Sequence, residues 1–494
     1  MDNNENITKN MTHILLNLKL KDFDTKIITN NIQDIEYILE KMDLENNRHK
    51  YLCLSCIYGA FLGDSMGSCC EFSRPSPNNC KLIFKIKKGI FDPGEVTDDS
   101  EMAISAAFAY IDSFNEDPSI IQDIIYYYFC IWRYTGPKDI GNATSNALRY
   151  WKKSDINETT FNYKMVKGFN WESLANGFLM RISTFIAYYY YTHLDIIYST
   201  INKFFEKEIK EISQEIINLY YDIYKESLKN TEITHPNFEC GISSAVFSLL
   251  TLTGMVTNEA SKVYSLFNLI TKCKIFFDCH EDKLAKTIAK QTQKKYVTIL
   301  EEIESGKKIE VFNLMGYYIH GFKLSIFYIK YLSDLGNAIG DNVYYDIMCE
   351  VCNYGGDTDT NCAIVGAMIG PLIGYKKFGS EYFEKFINFI PESRIQFNSA
   401  FMYIYVSFLE EKCLGKDKTG ETDEEEDNTK IGEKTNNSKD DDKLEKSQKS
   451  SKENKSSGIM NTLSGWIYGQ KIEKFKHYTA LKKIMEFLTK EIEI

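Results

Sequence analysis

Two stretches of this chain carry glycine at every fourth position. Gly59, Gly63 and Gly67 fall in Tyr51–Phe72, and Gly366, Gly370 and Gly374 follow Asn361. Four-residue spacing puts each set on one face of a helix. Glycine costs about 1 kcal/mol against alanine inside a helix, so such faces need a compensating contact. Close approach of another backbone is the obvious one. We therefore expect these two helices to lie against each other in the core, although they stand far apart in sequence. Membrane helices use similar small-residue faces, but Asp64 and the polar flanks argue against a membrane here.

Apolar residues recur elsewhere at three- and four-residue spacing, and strand-like alternation is hard to find. Pro is scarce, with 8 in 494 residues. The pattern predicts an all-α protein, a compact orthogonal bundle of helices. The net charge of −11 argues against a general nucleic-acid binder. The thirteen cysteines form no regular framework, which reads as reduced core thiols of a cytoplasmic protein. The N-terminus does not resemble a signal peptide, and no apolar run is expected to reach the ~20 residues of a bilayer span.

Both glycine-faced helices border acidic segments. The second is preceded by Gly355-Gly356-Asp357-Thr358-Asp359-Thr360, and Glu71 ends the first. A second acidic helix start, Thr97-Asp98-Asp99-Ser100-Glu101, follows a proline- and glycine-containing loop. Acids and hydroxyls are ordinary at a helix start, where they cap it and suit its dipole. Capping is one reading of these segments. Five clustered carboxylates would also repel strongly without cations, and oxygen-only donors suit magnesium or manganese. Two divalent ions sharing the cluster are the other reading.

These segments resemble the signatures of the ADP-ribosylglycohydrolase family, which includes dinitrogenase reductase-activating glycohydrolases and ADP-ribosylarginine hydrolases. Gly136-Pro137-Lys138-Asp139-Ile140-Gly141-Asn142, Asn176-Gly177-Phe178-Leu179-Met180-Arg181, Thr234-His235-Pro236 and Gly316-Tyr317 extend the resemblance, in the family's order, over roughly residues 51 to 410. The family's usual Thr after the Asp pair is Ser100 here, which keeps the hydroxyl.

The resemblance implies a hydrolase that cleaves ADP-ribose from a protein side chain, arginine by preference. It implies two Mg2+ (Mn2+ possible) held by Glu71, Thr97, Asp98, Asp99, Asp357, Asp359 and Thr360. Asp139, Asp99 and Asp357 are the catalytic candidates, with Asp139 as acid or base. Gly141, Asn142, Tyr317 and His235 are the candidate substrate contacts. Arg181 is expected to pair with a diphosphate or a site carboxylate. The competing readings are a hydrolase of serine- or other O-linked ADP-ribose, a non-catalytic ADP-ribose-binding scaffold, and a structural cation site.

The expected organisation is a helical extension over residues 1–50 and a catalytic domain over 51–414. A disordered charged segment is expected over 415–457, and a helix docking on the body over 458–494. Segments 150–169, 193–233 and 271–310 read as surface insertions. The expected partners are ADP-ribosylated proteins or ADP-ribose, with no nucleic acid and no membrane, and a monomer is expected over an oligomer.

Overall fold

A computed structural model describes residues 47–83, 91–149, 160–206, 211–387, 389, 399 and 401–414. The expectations for residues 1–46 and 415–494 lie outside the described residues. Those described form sixteen α-helices joined by turns and short 3-10 segments. No β-strand occurs among them, and the two isolated β-bridges are Ser73 with Gly356 and Ala175 with Tyr317.

Helix α1 (Arg48–Gly67) and helix α14 (Thr358–Ile373) form the centre of the fold. Nearly every residue of both is buried, so neither is amphipathic. Their glycines explain how they fit. A Cβ on Gly59 would collide with the carbonyl of Gly366, one on Gly63 with that of Cys362, and one on Gly67 with that of Thr358. From the other helix, Gly366 meets Gly59 and Gly370 meets Ser55, backbone against backbone. The expected close pair is therefore present. Gly374 departs from the expectation: it caps α14 at φ +83° and meets the Tyr51 ring rather than the α1 backbone.

The other helices surround this pair. They include α2 (Asp98–Asp112), α3 (Pro118–Tyr134), α4 (Asn142–Leu148), α5 (Tyr163–Asn170) and α6 (Ile182–Thr192). Then follow α7 (Leu194–Phe205), α8 (Gln214–Thr231), α9 (Phe238–Thr257), α10 (Ala260–Lys272) and α11 (Lys283–Glu304). Helices α12 (Ile319–Leu335) and α13 (Val343–Tyr354) precede α14, and α15 (Ser380–Ile387) and α16 (Phe401–Leu414) complete the set.

Two sequence expectations are corrected. The stretches 193–233 and 271–310 are more than surface insertions. Helix α8 buries Ile216, Leu219, Tyr220 and Ile223, and α11 buries Ala289, Tyr296 and Ile299, so each adds an apolar face to the core. Helix α9, at 20 residues, is also long and apolar enough to span a bilayer by length and composition, and its most apolar stretch is almost wholly inside the protein. Its hydroxyls hid it in the sequence. Thr251, Thr253 and Thr257 each donate to the carbonyl four residues back, which satisfies them within the helix.

Candidate active site

The glycine contact ends at the acidic residues. Past Gly67 the chain turns out through Ser68–Cys70 to the half-buried Glu71. The Phe72 amide donates to the Gly356 carbonyl at 2.7 Å, and the Gly356 amide returns to Ser73 at 2.9 Å. Gly355 and Gly356 both have positive φ, +67° and +81°, and a Cβ at Gly355 would strike the Ser73 backbone. Only glycine allows this pairing without strain. The Thr358 hydroxyl then donates to the Gly67 carbonyl at 2.7 Å. Oxygen atoms of Glu71, Asp357 and Asp359 consequently lie within 4.8 Å of one another.

The start of α2 joins this group through a residue to which the sequence reading gave no role at the site. Asp64, wholly buried on α1, accepts from the Thr97 amide at 3.0 Å, the Ser100 amide at 3.2 Å and the Ser100 hydroxyl at 2.5 Å. It thus caps another helix than its own. The hydroxyl common to Thr and Ser is what the position uses, which accounts for Ser100. The signal in the sequence was a carboxylate set inside an otherwise apolar, glycine-faced helix, which must find partners when buried.

Thr97 and Thr360, from two separate helix starts, both donate to Oδ2 of Asp99 at 3.3 Å. Oδ1 of Asp99 is buried with no hydrogen-bond partner. An orphaned carboxylate oxygen of this kind is costly unless a cation or proton meets it. Asp357 is held from the opposite side. Asn176 donates to its Oδ2 at 2.8 Å, and Gly316, at φ +82°, lies beside the same oxygen. The Asn176 amide bonds to the Gly316 carbonyl at 2.8 Å beside the Ala175–Tyr317 bridge. Both isolated bridges among the described residues therefore flank Asp357. Asn176 is a further residue whose role became visible only in three dimensions.

The cluster resists ionisation. Burial, reinforced by the charges of Asp139, Asp357 and Asp64, pushes Glu71 up to about 8. Burial raises Asp64 to about 6, against the hydrogen bonds it accepts. Asp98, Asp99 and Asp359 are also raised well above the carboxylate range, first by burial and then by one another and their acidic neighbours. Divalent cations would remove that repulsion. The orphaned oxygen, the convergent carboxylates and the all-oxygen donors fit such ions.

Asp139 faces this wall from the turn between α3 and α4, where its charge bears on Glu71 and Asp98. It accepts from the Ile140 amide at 2.8 Å. Its neighbour Lys138 makes a 2.6 Å ion pair with the buried Glu95, two residues before Thr97, and so ties the turn to the start of α2. Gly141 and Asn142, at the start of α4, are exposed, and a Cβ on Gly141 would meet nothing within 4 Å. Tyr317 is half-buried and its hydroxyl accepts from Lys295 at 3.0 Å. Lys295 is also paired to Glu239.

Two expected contacts lie behind the site. His235 is buried under Gly177, sharing a 2.8 Å hydrogen bond with Thr234, and burial holds it near 3 and therefore neutral. Arg181 is also buried. It binds the Gly177 carbonyl at 2.7 Å, the Asn230 side chain and carbonyl at 3.1 Å each, and the Thr234 hydroxyl at 2.9 Å. These partners are neither a diphosphate nor a site carboxylate. Arg181 instead braces the turn that carries Asn176.

An all-helical body with a carboxylate wall where two helix starts meet the end of α1 presents a candidate oxygen-donor cation site. The sequence profile of the ADP-ribosylglycohydrolase family matches residues 46–388, and the chain belongs to that family. It is a hydrolase of glycosidic ADP-ribose linkages. A protein of Acanthamoeba polyphaga mimivirus, assigned by its name to the ADP-ribosyl glycohydrolases, is 28% identical over 379 residues, covering 71% of this chain and 95% of its own. A solved structure titled as an ADP-ribosylglycohydrolase-related protein complex aligns with a TM-score of 0.45 at 18% identity, covering 73% of this chain and 96% of that one.

Proposed function

We propose that this enzyme releases ADP-ribose from arginine side chains of proteins, acting as a cytoplasmic monomer with two magnesium ions (manganese can replace them). Glu71, Thr97, Asp98, Asp99, Asp357, Asp359 and Thr360 are the ligands in this reading. The ions, when bound, supply a Lewis acid for ribose hydroxyls and a bound water of lowered pKa. The observation that carries the reading is the unpartnered Oδ1 of Asp99 among carboxylates that burial and mutual repulsion keep from ionising.

The chain's own residues do the rest. Asn176 fixes the direction of Asp357. Asp64 fixes the turn that carries Asp98 and Asp99. Asp139 stands against the wall on a separate turn, placed to hold or pass a proton as the glycosidic bond breaks. Positive charge builds on the sugar in such a cleavage, and the surrounding carboxylates favour it. Gly141 and Asn142 offer open backbone for the ribose and phosphates. The arginine preference rests on the resemblance of Thr97–Met102 and Gly136–Gly141 to the arginine-type branch of the family.

The test is release of free ADP-ribose from arginine-modified protein, with magnesium and with chelator. Release that needs the metal supports the reading. Metal-dependent release from serine-linked substrate alone would move the specificity. Tight ADP-ribose binding without release from either would favour a scaffold.

A further inference from the structure

Two bulky residues beside the carboxylate wall adopt a backbone conformation that disfavours them. Phe72 has φ +56° and Leu314 has φ +55°. Positive φ is uncommon for large side chains and marks a turn or a function. Packing explains neither case, because Phe72 is 64% exposed and Leu314 77%.

Both stand at the same glycine turn. The Phe72 amide is bonded to the Gly356 carbonyl, and Phe72 directly follows Glu71. On the other side, Met315 next to Leu314 packs on Gly356, its Cγ lying 3.4 Å from where a Cβ would stand. The Leu314 carbonyl accepts from the Tyr317 amide at 3.0 Å, which fixes the turn leading to Gly316 and so to Asp357. Exposed apolar side chains therefore flank the turn that presents Asp357, one from the α1 side and one from the α12 side.

We propose that Phe72 and Leu314 contact the polypeptide on either side of the modified residue and give the enzyme a preference for ADP-ribose carried by protein. The inference rests on the functional reading above. The carboxylates face the sugar at the scissile bond, so residues adjoining Glu71 and Asp357 meet what that sugar is attached to. The acidic wall complements a cationic side chain, and the apolar rim outside it complements apolar residues flanking that side chain.

Glycine adopts both φ values without strain, so Phe72→Gly and Leu314→Gly remove the side chains and keep the turns. The experiment measures kcat/KM on an arginine-ADP-ribosylated protein and on ADP-ribosyl-agmatine, together with thermal unfolding. Each variant is expected to lower the ratio of protein to small-conjugate kcat/KM by about five- to tenfold, the loss for a truncated apolar contact, with Tm equal to or above the parent's. An unchanged ratio, or an equal fall on both substrates, overturns the inference while the functional reading stands. If the parent releases ADP-ribose from neither substrate, the functional reading fails and this inference falls with it.

Discussion

The acidic wall and the Gly136–Asn142 turn that faces it are held by different means. The wall is fixed by backbone contact: α1 lies on α14 without intervening side chains, and Asp64 and Asn176 pin its acids. The turn is tied by the Lys138–Glu95 ion pair and ends in an exposed glycine with empty space around it. In the proposed function a preformed acidic wall opposite an open turn divides labour, with one side setting charge geometry and the other left to receive the ligand.

The sharpest way to break this comparison is to place the same kind of change on each side. Gly63→Val drives a side chain into the Cys362 backbone and is expected to cost at least about 3 kcal/mol or prevent folding. Gly141→Ala, at φ −60° in open space, is expected to stay within about 0.5 kcal/mol. Urea unfolding measures both. Equal costs would show that the turn is as tightly packed as the wall.

Within the wall, Asp357→Asn is expected to lower kcat/KM about 100-fold or more, since even residues outside a metal's immediate ligands cost 10–100-fold. Its Tm in chelator should hold or rise, because one repelling charge is gone. Calorimetric titration with manganese should show the matching loss of affinity. A lowered Tm with intact metal binding would make Asp357 structural.

His235 tests the support behind the wall. Its folded pKa lies near 3, below the ordinary 6.5, so the unfolded chain binds the extra proton. Its contribution is whole above about 6.5 and is lost as the pH falls, by roughly 2 kcal/mol at pH 5. A His235→Gln variant that folds should show a shallower decline than the parent over that range. The acids have the opposite sign. Asp64 and Glu71, raised to about 6 and about 8, hold protons in the folded metal-free protein that the unfolded chain has released. Stability in chelator should therefore fall as the pH rises from about 4 to 8, and saturating magnesium should flatten that decline.

The smallest expected effect belongs to the turn. Lys138→Met leaves the buried Glu95 carboxylate with the Asp92 amide as its remaining donor, a loss of about 1–2 kcal/mol. It should lower Tm slightly while kcat falls several-fold through looser placement of Asp139. An unaltered kcat would mean that the turn is positioned by its own backbone.

The same contrast explains what was readable beforehand. The glycine faces were legible because their spacing admits few structures, and the acidic helix starts because their chemistry is local. Asn176, His235 and Arg181 were quoted within motifs and Asp64 as a charge on a glycine-faced helix, yet their roles depend on which distant backbone each one meets. Arg181 shows the difficulty: a buried guanidinium bracing a turn through neutral partners has the same sequence as one that binds a phosphate. Helix α9 escaped notice because its threonines read as polar until their bonds to the preceding turn were seen.

The α1–α14 contact also imposes an order on biosynthesis. Gly67 and Thr358, which share a hydrogen bond at the lip of the site, are 291 positions apart. At ribosomal rates of ~10 residues per second the first waits roughly half a minute for the second. Until then the glycine face of α1 has no partner and Glu71 has no companion carboxylates from α14. Closure over so long a span is entropically slow to nucleate, so the emerging chain must keep a central core helix protected through most of its own synthesis.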